Sequence, residues 1–217
     1  GIYVSDGGTY QIVKNNGNNT NINVTAHVKN AYGINAEKQG FVDIDTDNLE
    51  INTYFNSTFS GGNHLRGLYV EQSNVDIDSA GIVNLYVSST NSYDENSATH
   101  GVYVETNDTE NKTYSDSIAD INANSINITS ISTGNSLSTS FGVEAKTVPD
   151  DGSKANVNLT TNGENGILIT AQSTGTAYGL NAADNAEINI TAYNGDIVIK
   201  ANGGNGSVSE GIQVDSI

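Results

Sequence analysis

Seven side chains in this sequence have types and spacing suited to chemistry. Carboxylates recur in short alternating segments as Asp43 and Asp45, Asp76 and Asp78, and Asp120, while Tyr69 and Tyr103 recur in GLYV and GVYV. If successive segments lie side by side as neighbouring strands, equivalent residues stand ~4.8 Å apart. The five carboxylates then form one patch, and two unit charges at that spacing repel by about 0.9 kcal/mol even in bulk water. A divalent cation would relieve the repulsion, and hard oxygen ligands suit calcium. The DIDTDN run at residues 43–48 lacks the glycine and final glutamate of an EF-hand loop. The same register lays Tyr69 flat beside Tyr103 on a polar surface, where exposed rings suit a sugar or a peptide. The alternative is a cross-strand pair that steadies the sheet.

Other candidates are weaker. His64 and His100 just precede Gly67 and Gly101, where they would close successive loops, and no cysteine accompanies them as a metal ligand. The single arginine, Arg66, falls in one of those loops. Without a basic partner on a strand face, and without tryptophan platforms, the carboxylates do not read as the acid–base pair of a polysaccharide-cleaving enzyme. The chain is expected to be non-catalytic. Asn-x-Thr triplets begin at Asn18, Asn23, Asn56, Asn107, Asn111, Asn127, Asn158 and Asn189. Several fall inside alternating segments, so chance in an Asn/Thr-rich chain explains them better than glycosylation.

The elements that position these residues announce themselves through a recurring dipeptide. Gly followed by a branched apolar residue, or by a longer aliphatic one, opens a segment at Gly1, Gly33, Gly67, Gly101, Gly142, Gly179 and Gly211, at spacings of 32, 34, 34, 41, 37 and 32 residues. Such periods mark a solenoid or array. Each repeat holds three alternating segments, as in GLYVEQ, VDIDSAG and IVNLYVSS. Alternation sends every second side chain to one face. The first segments supply pairs such as Leu68/Val70 and Val102/Val104, and the second supply Tyr10/Ile12, Val42/Ile44 and Val75/Ile77. The third supply Ile22/Val24, Leu49/Ile51, Leu85/Val87 and Ile126/Ile128.

The expected fold is therefore all-β: a parallel β-helix of three strands per coil and about six coils, spanning residues 1–217 as a single domain. An antiparallel sandwich would lack the constant period. The recurrent glycine fits a corner needing either positive φ or a close approach. Length variation is confined to loops at 88–100 and 130–141 and to insertions at 106–117 and around Pro149.

Composition narrows the partners. There are 25 acidic residues against 8 basic ones, a formal net charge of −17, which excludes nucleic acid and electrostatic docking on anionic lipid. Cysteine is absent, so disulfides and thiolate metal sites are excluded. No apolar run approaches the ~20 residues of a membrane span, so no membrane insertion is expected in this segment. The chain opens on Gly rather than Met and reads as an excerpt of a longer repetitive protein.

A cysteine-free, acidic, Asn/Thr/Gly-rich run of GI-x-A, x-V-x-I and x-I-x-I strands resembles the passenger domains of bacterial autotransporter adhesins. The resemblance implies a right-handed β-helix displayed as a stalk, export to the cell surface, anchoring in the outer membrane through a region outside this chain, and attachment to a host-surface protein or glycan or to neighbouring cells. No cofactor is required on this reading, with calcium the one ion the acidic rows suggest. The alternative is a structural fibre assembled end to end by self-association.

Overall fold

Wherever the sequence repeats its alternation of apolar and polar residues, the chain forms β-strands. The computed structural model describes all residues except 14–16, 18, 27–29, 57–63, 93–97, 107–114, 135, 148–151 and 216–217. The described strands are β1 (Ile2–Val4), β2 (Thr9–Ile12), β3 (Asn19–Ala26), β4 (Asn30–Glu37), β5 (Phe41–Thr46), β6 (Asn48–Asn56), β7 (His64–Glu71), β8 (Asn74–Ser79), β9 (Ile82–Ser92), β10 (Ala98–Glu105), β11 (Ser117–Gly134), β12 (Thr139–Lys146), β13 (Ala155–Ser173), β14 (Thr176–Ala183), β15 (Glu187–Ala192), β16 (Ile197–Asn202) and β17 (Ser209–Asp215). No helix occurs among the described residues.

Every pairing between these strands is parallel. One sheet has seven strands in the order β1-β4-β7-β10-β12-β14-β17. The other has ten, with β2-β5-β8-β11-β9-β6-β3 as its path and β13, β15 and β16 branching from β11. Strands β11 and β13 are long because each serves two ladders. The first part of β11 pairs with β8 and the second with β9, with a register shift between Ala123 and Ser125. This is an all-β, solenoid-like stack of parallel strands.

The aliphatic positions face inward. Val42, Val75, Ala119 and Val157 are paired in succession and fully buried, as are Ile44, Ile77, Ile121 and Leu159. Each such Val, Leu or Ile side chain contributes roughly 1.5–3 kcal/mol by leaving water. Burial fades at both extremes of the stack, where Tyr10 is exposed rather than inward and Ile212 and Val214 lie largely in solvent.

Two expectations are corrected by the register. In the third segments, Ile22 faces Ile51 and Ile51 faces Leu85, so Leu49 aligns with Thr20 and Val83 instead of Ile22 and Leu85. Val24 and Val87 therefore belong to a second, smaller apolar cluster with Ala31, Phe55 and Leu65. Segments expected as loops are also largely strand: β9 continues to Ser92, β11 to Gly134, and β10 and β12 begin before their glycines. Most of the 106–117 insertion and the segment around Pro149 lie outside the described residues.

The recurrent glycine meets a close approach, not a positive φ. A β-carbon on Gly101 would collide with Ile128 Cγ2 and stand 2.5 Å from the Gly142 carbonyl oxygen. Around Gly67, its equivalent in the preceding repeat, the alternation slips by one. Leu65 is in the small cluster, Leu68 is in the main core, and Arg66 shares the outer face with Tyr69. Glycine allows two successive inward positions, its own and that of Leu68, because it brings no side chain to that crowded wall.

Candidate functional site

The acidic row forms as the spacing predicted. Asp43 of β5 pairs in register with Asp76 of β8, and Asp76 with Asp120 of β11; Asp45 pairs with Asp78, which pairs with Asn122. Amides flank the row of three. Gln11 Nε2 donates to Asp43 Oδ2 at 2.6 Å, and Asn158 Nδ2 donates to Asp120 Oδ1 at 2.5 Å. Asp76, between them, is raised above its ordinary value by burial and then by Asp78, Asp120 and Asp43. Among the described residues no three His, Asp or Glu side chains converge closely enough to hold a metal ion.

Tyr69 and Tyr103 are brought together, with centroids 5.7 Å apart and planes 18° from parallel. They are not the exposed platform expected from sequence. Tyr69 is 5% and Tyr103 8% exposed, because other side chains cover them. The Arg66 guanidinium carbon lies 4.0 Å from the Tyr69 ring centre and 4.5 Å from that of Tyr103. Tyr32 stacks on the other side of Tyr69 at 5.6 Å, and the His100 ring stacks on Tyr103 at 4.7 Å. His100 also stacks on Phe141, and Phe141 on Tyr178. Six rings thus run in one file across β4, β7, β10, β12 and β14.

Carboxylates hold the hydroxyl ends of this file. Tyr69 OH stands 2.9 Å from Glu71 Oε2 and 2.5 Å from Glu105 Oε1 and has a single proton to share between them, while Tyr103 OH donates to Glu105 at 2.7 Å. Burial, with Glu105 as the next cause, pushes both phenols far above their ordinary range, so they are protonated donors. Glu71 is raised by burial, against the opposing bond from Tyr69. His100 is lowered by burial, with Glu144 opposing. A neutral His100 donates from Nε2 to Glu144 Oε2 at 2.7 Å, leaving Nδ1 bare and buried with no partner among the described residues.

Sequence reasoning missed this file because it placed Arg66, His64 and His100 in loops. All three lie in strands, and Tyr32, Arg66, His100, Phe141 and Tyr178 occupy one register row. The signal was present: each residue immediately precedes a repeat glycine. The placement also removes one sequence ground for excluding catalysis, since a basic group does share a strand face with Glu71 and Glu105. Glu71 and Glu105 are half-buried. Arg66 is only 8% exposed and its guanidinium rests on rings, which leaves little of it for a substrate.

Compared with family models, characterised proteins and solved structures, the chain matches none.

Proposed function

We propose that this chain is a non-catalytic segment of a surface-displayed bacterial adhesin of autotransporter type. On this reading it is a right-handed parallel β-helix of three strands per coil and about six coils, serving as a stalk. The observation that supports it best is the file-by-file parallel register, which lays the same outward position of successive repeats into continuous rows. Such rows offer long flat faces for attachment. Burial of the Arg66–Tyr69–Tyr103–His100 group supports a structural use of the residues best equipped for catalysis.

Display of the full chain on a non-adherent bacterium through a foreign outer-membrane anchor tests the proposal. Attachment to host cells, or clumping of the displaying bacteria, should rise over the anchor alone. Equal attachment with and without the chain would overturn it, as would release of reducing ends from polysaccharide by the purified chain.

A further inference from the structure

A second aromatic pair sits on a different face, and this one is open. Tyr54 of β6 and Tyr86 of β9 have ring centroids 5.7 Å apart with planes tilted by 45°. They line a shallow depression with Glu50, Asn52, Asn84 and Asn127. In register, Glu50 faces Asn84, Asn84 faces Asn127, and Asn52 faces Tyr86. Tyr54 keeps 40% of its surface exposed, in contrast to Tyr69 and Tyr103.

The amides are held in place but not used up. Asn52 Nδ2 donates to Glu50 Oε1 at 2.8 Å and to Asn23 Oδ1 at 2.9 Å, and Asn127 Nδ2 donates to Asn84 Oδ1 at 2.8 Å. That leaves Asn52 Oδ1, Asn127 Oδ1 and Asn84 Nδ2 with no bond to another described residue. The depression therefore combines fixed acceptors, an amide donor and two ring faces on a rigid sheet. Sugar rings match this chemistry, because their hydroxyls both give and accept hydrogen bonds while their C–H faces pack on aromatic rings. Its lining has no Lys or Arg, Glu50 lies among the lining residues, and the chain carries a formal net charge of −17. Carboxylated or sulfated sugars are repelled by that field.

We infer that the Tyr54–Tyr86 depression binds a neutral saccharide. The inference rests on the adhesive reading and names its partner as a glycan. Saturation-transfer NMR on the purified chain, with lactose, maltose and diacetylchitobiose as neutral probes and a heparin disaccharide as the anionic one, tests it. At least one neutral sugar should receive saturation and the heparin disaccharide should not. The double change Tyr54→Ala and Tyr86→Ala should weaken binding by about tenfold or more, equivalent to ~1.4 kcal/mol, with an unchanged strand signal in circular dichroism. Tyr54→Phe, which keeps the ring, should bind like the parent. Absence of transfer to all three neutral sugars, undiminished binding by the double variant, or preference for the heparin disaccharide would overturn the inference. If displaying bacteria attach while the parent chain binds none of the neutral sugars, or while the double variant binds them as well as the parent, the adhesive proposal survives and this site does not.

Discussion

Arg66 rests its guanidinium carbon 4.0 Å from the centre of the Tyr69 ring, on the outer face of the strand they share. A second ring, Tyr103, lies 4.5 Å away, so one cation is held by two quadrupoles. Arg66 Nε is buried without a hydrogen-bond partner among the described residues, so this side chain is held chiefly by its rings. Arg66→Ala should lower unfolding stability by about 2 kcal/mol, from lost cation–π contact and lost packing. Arg66→Lys should recover only part of that, because an ammonium lacks the planar face. Denaturant titration of both variants is the check, and an unchanged midpoint for Arg66→Ala would contradict the assignment.

Gly101 and Gly211 occupy the same place in the repeat but have different surroundings. A β-carbon at Gly101 meets Ile128 and the Gly142 carbonyl, whereas one at Gly211 has nothing within 4 Å. Gly101→Ala is expected to cost about 1–3 kcal/mol through overpacking, and Gly211→Ala to stay within about 0.5 kcal/mol of the parent. Thermal melts of the two variants decide it, and equal effects would show that the contact is not the reason for glycine.

Crowded carboxylates make a signed prediction about pH. Asp76 and Glu71 have folded values raised above their unfolded ones. Between the two values the folded state binds more protons, so stability from these groups falls as pH rises through that window. His100 works the other way: its lowered folded value makes stability fall as pH drops below its ordinary titration range. Asp76→Asn should raise the melting temperature at neutral pH and flatten the carboxylate slope. His100→Gln should reduce the loss near and below pH ~6.5, leaving the share of His64, which burial also lowers. An unaltered profile in either variant would sink its half of the prediction.

If the row of Asp43, Asp76 and Asp120 takes calcium, added calcium should raise the melting temperature at neutral pH. The increment should disappear when all three are changed to Asn. Identical melts in calcium and in chelator would dismiss the ion.

Gln39 adopts a left-handed backbone at φ 64° in the exposed turn after β4. That conformation costs a non-glycine residue roughly 1–2 kcal/mol, partly offset by the extra freedom glycine brings to the unfolded chain. Gln39→Gly is therefore expected to gain up to about 1 kcal/mol, measured by chemical denaturation. A loss of stability would show that the glutamine side chain matters to the turn.

Much of the architecture was written in residue order. The glycine period and strict alternation predicted the pairings Val42 with Val75 and Asp43 with Asp76, because a period of two leaves no freedom about which side chains face inward. The Arg66–His100 row went unread although each member precedes a repeat glycine, because the alternation changes phase at that glycine through its contact with Ile128, Val87 and their equivalents. Exposure of Tyr69 was likewise misjudged. A strand pattern distinguishes the two faces of a sheet, but it does not say what neighbouring side chains will lay over the outer one. Tyr54 and Tyr86 fell outside the reading because no glycine marks them.

Nearly all the ladder bonds join residues about one glycine interval apart, so loop closure costs a similar entropy at each step, and its logarithmic dependence evens out the longer repeats. Assembly then resembles growth on a template: once two repeats have paired, every later one docks on a ready edge of matching shape. Trimming whole repeats from the Ile212 side should remove stability in comparable increments, while cutting out a middle repeat should let its neighbours close ranks.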